Sequence, residues 1–165
     1  MTLEQVRTQL AAFLAEGGVN AMESWPAERR TDRAEPVAVV SLLELSCAAA
    51  GLQDYLGQQL DETTGQWNEV YGRKARLTFA LDIAAPAQAG AQACRAAFER
   101  TVQTLQSGKP VGLSVRELSA GEVDYDEKEG LVKLRCTLVC DGWLCTAGEE
   151  AGTFLDFTLR GDVKT

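Results

Sequence analysis

The apolar positions along the chain change period several times, and each change marks an element. Leu3, Val6, Leu10, Phe13 and Leu14 recur at spacings of three and four, which predicts an amphipathic helix over residues 2–16. Thr2 and Gln5 match a capping box at its start, and Gly17-Gly18 stops it. Residues 19–36 form a charged connector with Trp25-Pro26 at its middle. "VAVVSLLELSCA" (37–48), rich in Val and Leu and bounded by Pro36 and Gly51, reads as a buried strand. The stretch 51–72, "GLQDYLGQQLDETTGQWNEVYG", is polar and poorly periodic, and predicts a polar arm or long loop. A structureless segment of that length is uncommon in a compact domain unless it is functional or ordered by another surface.

"RKARLTFALDIAAP" (73–86) then alternates cleanly. Ala75, Leu77, Phe79, Leu81 and Ile83 share one face of a strand, with Lys74, Arg76, Thr78 and Asp82 on the other, and Pro86 ends it. Residues 87–107 return to helical spacing, with Cys94, Ala97, Phe98, Val102 and Leu105 as the apolar stripe and Gly108 and Pro110 as the stop. Two further strands follow, joined by a turn around Asp126–Gly130, with Ala120-Gly121 as a bulge within the first. A last alternation at 153–161, "TFLDFTLRG", reads as one more strand. Strands in runs rather than strict alternation with helices predict an α+β fold: a mainly antiparallel sheet of four to five strands with two helices packed on one face. No internal boundary shows, so residues 1–165 read as a single domain.

Composition narrows the functions that such a domain can serve. The chain is 45% hydrophobic and 24% charged, which is ordinary globular usage. Its apolar runs fall far short of the roughly 20 residues that cross a bilayer, and the N-terminus has no basic segment of the secretory kind. The expected location is therefore the cytoplasm, with no membrane partner. A net charge of −8 argues against a phosphate-binding surface and a specific nucleic-acid partner, since the small basic groups Arg29-Arg30 and Arg73-Lys74-Arg76 read as solvated surface. Histidine is absent, which removes the Ser-His-Asp and Cys-His constellations and the commonest metal ligand.

Three of the five cysteines fall in "LVKLRCTLVCDGWLC" (131–145), a concentration that raises the question of a metal or redox site. Periodicity answers it. Leu134, Cys136, Leu138 and Cys140 alternate with Lys133, Arg135, Thr137 and Val139, so the cysteines share the apolar face of a strand with leucines. The C-x3-C and C-x4-C spacings do not match the close pairs of a structural zinc site. Cys47 and Cys94, also in apolar segments, read as core residues in the same way. The acidic run "EVDYDEKEG" (122–130) lacks the glycine and ligand spacing of a calcium loop and reads as a solvated hairpin turn. No phosphate-binding glycine motif occurs. No catalytic residue, no cofactor and no metal is expected.

The order of elements resembles a known family. An N-terminal amphipathic helix leads to "EPVAVVSLLEL", a polar excursion, "GRKARLTFALDIAAP", the helix "GAQACRAAFERTVQTL" and the hairpin "VGLSVRELSAGEVDYDEKEGLVKLRCTLVCDGW". This layout, over most of residues 1–145, is similar to tail-terminator and tail-completion proteins of tailed bacteriophages, including prophage copies. The resemblance implies a non-enzymatic structural protein. Its protomers would form a ring, commonly a hexamer, that caps the tail tube and meets the head connector in the virion tail. The 51–72 excursion would then be an arm on a neighbouring subunit or on the tube. Tyr55, Trp67 and Tyr71 within it are aromatic types enriched at interfaces, and Trp25 joins them as a candidate anchor. Two alternatives stand beside these readings. The stretch 51–72 could be an ordinary hairpin loop whose aromatics fold back on their own core, with Trp25 as a core plug, and the chain could be a small cytoplasmic α+β binding or adaptor domain unrelated to tails.

Overall fold

Twenty residues, Trp67–Pro86, form the longest strand, and the rest of the molecule is organised around it. The computed structural model describes residues 3–25, 34–50, 54–147 and 158–160. In chain order these form α1 (Leu3–Glu16), β1 (Ala21–Met22), β2 (Val37–Ala49), β3 (Tyr55–Leu60), β4 (Trp67–Pro86), α2 (Gly90–Ser107), β5 (Ser114–Asp126), β6 (Leu131–Ala147) and β7 (Thr158–Arg160). The fold is α+β, as the pattern predicts. The sheet has seven strands instead of four to five, because the two-residue β1 and the short β3 and β7 join it. Thr2 of the expected capping box, the pair Arg29-Arg30 and most of the final alternation lie outside the described residues.

The strand order is β1-β2-β4-β6-β5, antiparallel except where β1 runs parallel to β2. β4 and β6 pair without a break from Val70↔Ala147 to Pro86↔Leu131 and form the spine. On the far edge of β4, β2 pairs with Arg73–Ala84 and β3 continues along Trp67–Tyr71. On the far edge of β6, β5 covers Leu131–Asp141 and β7 continues along Trp143–Cys145. The sheet therefore has two halves: a proximal half, β2-β4-β6-β5, and a distal half, β3-β4-β6-β7.

Both helices pack on one face of the proximal half. There Leu77, Phe79, Leu81 and Ile83 of β4 meet Leu134, Cys136, Leu138 and Cys140 of β6 beneath Val6, Leu10 and Leu14 of α1 and Cys94 of α2. Burial of each such side chain stabilises the fold by roughly 1.5–3 kcal/mol. α1 stops at Gly18, whose φ of +83° is the left-handed turn that glycine adopts readily, and Val19 then donates back to the Leu14 carbonyl at 3.0 Å.

The face of α2 differs from the expected stripe. Thr101 and Thr104 are buried with Cys94, whereas Val102 is only half-buried. The hydroxyl of Thr101 donates to the Ala97 carbonyl at 2.9 Å, and that of Thr104 lies 2.9 Å from the Arg100 carbonyl and 3.2 Å from that of Gly17. Each threonine thus satisfies its polar atom within the helix or at the end of α1, which lets its side chain be buried.

The helices cannot cover the whole sheet. An 18-residue α2 spans about 27 Å, while a 20-residue β4 spans about 66 Å. The expected buried strand at 37–48 is therefore buried only in its first part: Val37–Leu42 are buried or half-buried, and from Leu43 onward most residues are exposed. A register shift between Leu42 and Glu44 marks the change, with Leu43 63% exposed. Among the described residues no helix is long and apolar enough to cross a membrane.

Candidate functional site

The stretch 51–72, expected as an arm or loop, forms a β-hairpin where it is described. β3 and the start of β4 pair from Tyr55↔Tyr71 to Leu60↔Trp67, with a bulge between Tyr55 and Gly57. Asp61 organises the turn. Its carboxylate accepts from the Thr63 N–H at 2.8 Å, its own N–H donates to the Gln66 carbonyl at 2.8 Å, and its carbonyl accepts from Gly65 at 2.7 Å. The Thr63 N–H and the Thr64 hydroxyl hold the Asp61 carboxyl below the usual carboxylate range, so the turn carries its charge at neutral pH. The weak periodicity of 51–72 reflects this local chemistry: a polar turn, a bulge, and strands that are mostly exposed.

The period of two along β4 settles which way the arm's side chains face. Trp67, Glu69, Tyr71 and Arg73 continue the row of Ala75, Leu77, Phe79 and Leu81. They lie on the helix side of the sheet, beyond the reach of the helices. Tyr55 and Tyr71 meet edge to face, ring centroids 5.5 Å apart, and the Tyr71 hydroxyl donates to Glu69 at 2.5 Å. Arg73 pairs with Asp54 at 2.8 Å. At the tip, Trp67 is 65% exposed with Leu60 across from it at 42%. The structure thus brings Tyr55, Trp67 and Tyr71 onto one face of one hairpin, and Tyr55 and Trp67 do not fold back on the core. Leu60 belongs with them and was not legible as such, because its partner is set by the hairpin register.

The opposite side of this distal half is closed. Val70 and Cys145 are buried there, and a Cβ on Gly72 would lie 2.6 Å from the Leu144 carbonyl oxygen and 2.8 Å from a Leu56 methyl group. Trp25 sits elsewhere. It is 6% exposed and packs with Val37, Ala84 and Leu131 on the outer face of the proximal sheet, away from the arm.

Along that outer face lies a second group of side chains. Arg76 and Arg116 both hold Asp141, at 3.2 and 2.7 Å, and the Lys74 ammonium lies 5.6 Å from the centre of the Trp143 ring. Partial burial acts to raise the Asp141 pKa, but hydrogen bonds from the two arginines outweigh it and hold the carboxyl low. These residues surround a hollow of about 530 Å³ floored by Ser46, Ala48 and Gly142.

The cysteines divide differently from the expectation. Cys94, Cys136 and Cys140 are core residues as expected, but Cys47 is exposed because it lies on the uncovered part of β2. Cys145 is buried on the other face of β6. Burial pushes the Cys94 thiol up, and it pushes Cys136 and Cys140 up to about 12, with the charges of Asp82 and Asp141 adding to the effect on each. Such thiols are poor nucleophiles and poor metal ligands at neutral pH. Among the described residues no group of three or more His, Cys, Asp or Glu is placed to hold a metal ion. The acidic run 122–130 forms the β5–β6 turn, where Asp126 accepts from the N–H groups of Lys128 and Glu129 and pairs with Lys133 at 2.7 Å. The sequence matches no protein-family model and none of the curated proteins with which it was compared.

Proposed function

We propose that the chain is a non-enzymatic structural protein that assembles with copies of itself into a ring, in the manner of the tail-terminator and tail-completion proteins of tailed bacteriophages. One observation carries the reading: the sheet outruns its helices and leaves an ordered hairpin whose bare face presents Tyr55, Leu60 and Trp67. A two-stranded hairpin with an uncovered apolar face is marginal in water, and exposed aromatics grouped on one face are the residue types that anchor interfaces. The resemblance in element order supports the finer part of the proposal, a ring of about six subunits that meets a tail tube and a head connector.

Substitution of the arm tests the proposal. The double variant Leu60→Ala, Trp67→Ala removes the exposed pair without touching the proximal core. Wild-type chain is expected to give a multiple of the 17.8 kDa chain mass in light scattering, with ring-shaped particles in negative-stain images. The variant is expected to keep its circular dichroism spectrum and shift to the single-chain mass. Equal masses for a self-associating wild type and the variant would remove the arm from the interface.

A further inference from the structure

We infer that the outer-face hollow around Lys74, Arg76 and Arg116 receives the acidic tip of the β3–β4 arm from a second copy of the chain. The inference rests on the self-association proposed above and names the surface that it would use.

Charge supplies the first argument. Residues 54–72 contain four carboxylates and no lysine or arginine. Arg73 pairs with Asp54, which leaves Asp61, Glu62 and Glu69 toward the tip. The hollow has the opposite sign: three cations face the single carboxylate of Asp141. Glu44 and Glu117 lie one row nearer the middle of the sheet on the same face, outside the hollow, and confine the positive region to it. In a chain of net charge −8, this is a local reversal that an acidic segment can find.

Surface character supplies the second. The tip pairs its carboxylates with exposed Leu60 and Trp67. The hollow pairs its cations with the Trp143 ring and a floor of small residues, Ala48 and Gly142. Both sides join an apolar part to a charged rim, the arrangement that excludes water from ion pairs.

Rigidity supplies the third, and it selects a second copy over the chain's own arm. β4 is hydrogen-bonded to β6 without interruption from Val70 to Pro86, and Trp67 lies seven residues, about 23 Å, along the strand from Lys74. Trp67 also faces the helix side while Lys74 faces the outer side. The arm cannot fold back into its own hollow. Each copy offers one tip and one hollow at different places, so the contact is able to repeat head to tail from copy to copy, and a ring forms where the rotation between copies closes.

Zero-length carbodiimide crosslinking of a mixed ¹⁴N and ¹⁵N sample of the full chain tests this, with mass spectrometry to separate bonds between copies from bonds within one. The expected product is an intermolecular amide between Lys74 and Asp61 or Glu62. Intermolecular crosslinks at other sites without this pair would overturn the inference and leave self-association standing. No intermolecular crosslink, together with a single-chain mass, would overturn both. Charge exchange gives an independent readout. Glu62→Lys and Lys74→Glu are each expected to weaken association at least about tenfold, and the double variant to recover it, since the reversed tip again meets a reversed hollow on the next copy. A double variant as weak as the singles, with an unchanged circular dichroism spectrum, would overturn the inference.

Discussion

Cys47 stands apart from the other four cysteines, which are buried. At pH 8 it is expected to react with a thiol reagent within minutes, while the rest react only as fast as the molecule opens. More than one rapid equivalent would contradict the burial described. The raised thiols also set a pH dependence. Cys136 and Cys140 keep their protons to about 12 in the folded state but lose them near 8.5 in the unfolded chain. Between those values the folded state binds more protons, so this contribution to stability is complete below about pH 8.5 and declines as pH rises. Denaturant midpoints measured from pH 8 to 10 are expected to fall, less steeply in Cys136→Ala than in the wild type. Gly72 is a second sensitive residue. The two nearest backbone contacts of an added Cβ, the Leu144 oxygen at 2.6 Å and the Cys145 Cα at 3.1 Å, have little freedom to move. Gly72→Ala is expected to lower stability by about 1–3 kcal/mol. An unchanged midpoint would show that the strands part there more easily than described. Cys136 and Cys140 could be read from alternation alone. Cys47 could not, because alternation reports a face of the sheet and not whether a helix reaches that far.

At the scale of elements, strong periodicity transferred well into structure. The odd-numbered row of β4, the hairpin turn at 126–130 and the bulge after Ala120 all follow from local pattern. The second half of β2 did not, since "LLELSCA" is apolar enough for a core yet lies past the helices. The arm was legible as a feature, with a hairpin loop as one of its two readings, but its strands were not, because they have little buried face to impose a period. The β5–β6 turn offers a direct check on element-level electrostatics. The Lys133 hydrogen bond holds Asp126 below the usual carboxylate range, while Asp126 and then Glu129 raise Lys133. The carboxylate's share of stability is present above pH about 4 and is lost as pH falls through its lowered folded value. The share from Lys133 is present below pH about 10.4 and is lost as pH rises through its raised value. Lys133→Met is therefore expected to melt earlier than the wild type at pH 7, with the difference closing below pH 4. A difference that stays constant into acid would assign the effect to packing instead of charge.

For the whole molecule, the mismatch between strand and helix lengths sets the outcome. Among the described residues, two helices close one half of a long sheet, and the other half carries an arm whose helix-side face none of them covers. Three of the four candidate aromatics, Tyr55, Trp67 and Tyr71, lie together on that face. Trp25 fell outside the group because its place, over Val37 and Ala84, depends on long-range packing that no local pattern records. The same arrangement separates an acidic tip from a basic hollow along one rigid spine, so association is expected to weaken with ionic strength as well as on loss of the arm's aromatics. The central claim, that the bare half of the sheet exists to be covered by another copy, is tested most directly by the solution mass of the unmodified full chain. Light scattering across a concentration series is expected to show a discrete species of about six chains. A mass of 17.8 kDa at every concentration would contradict it.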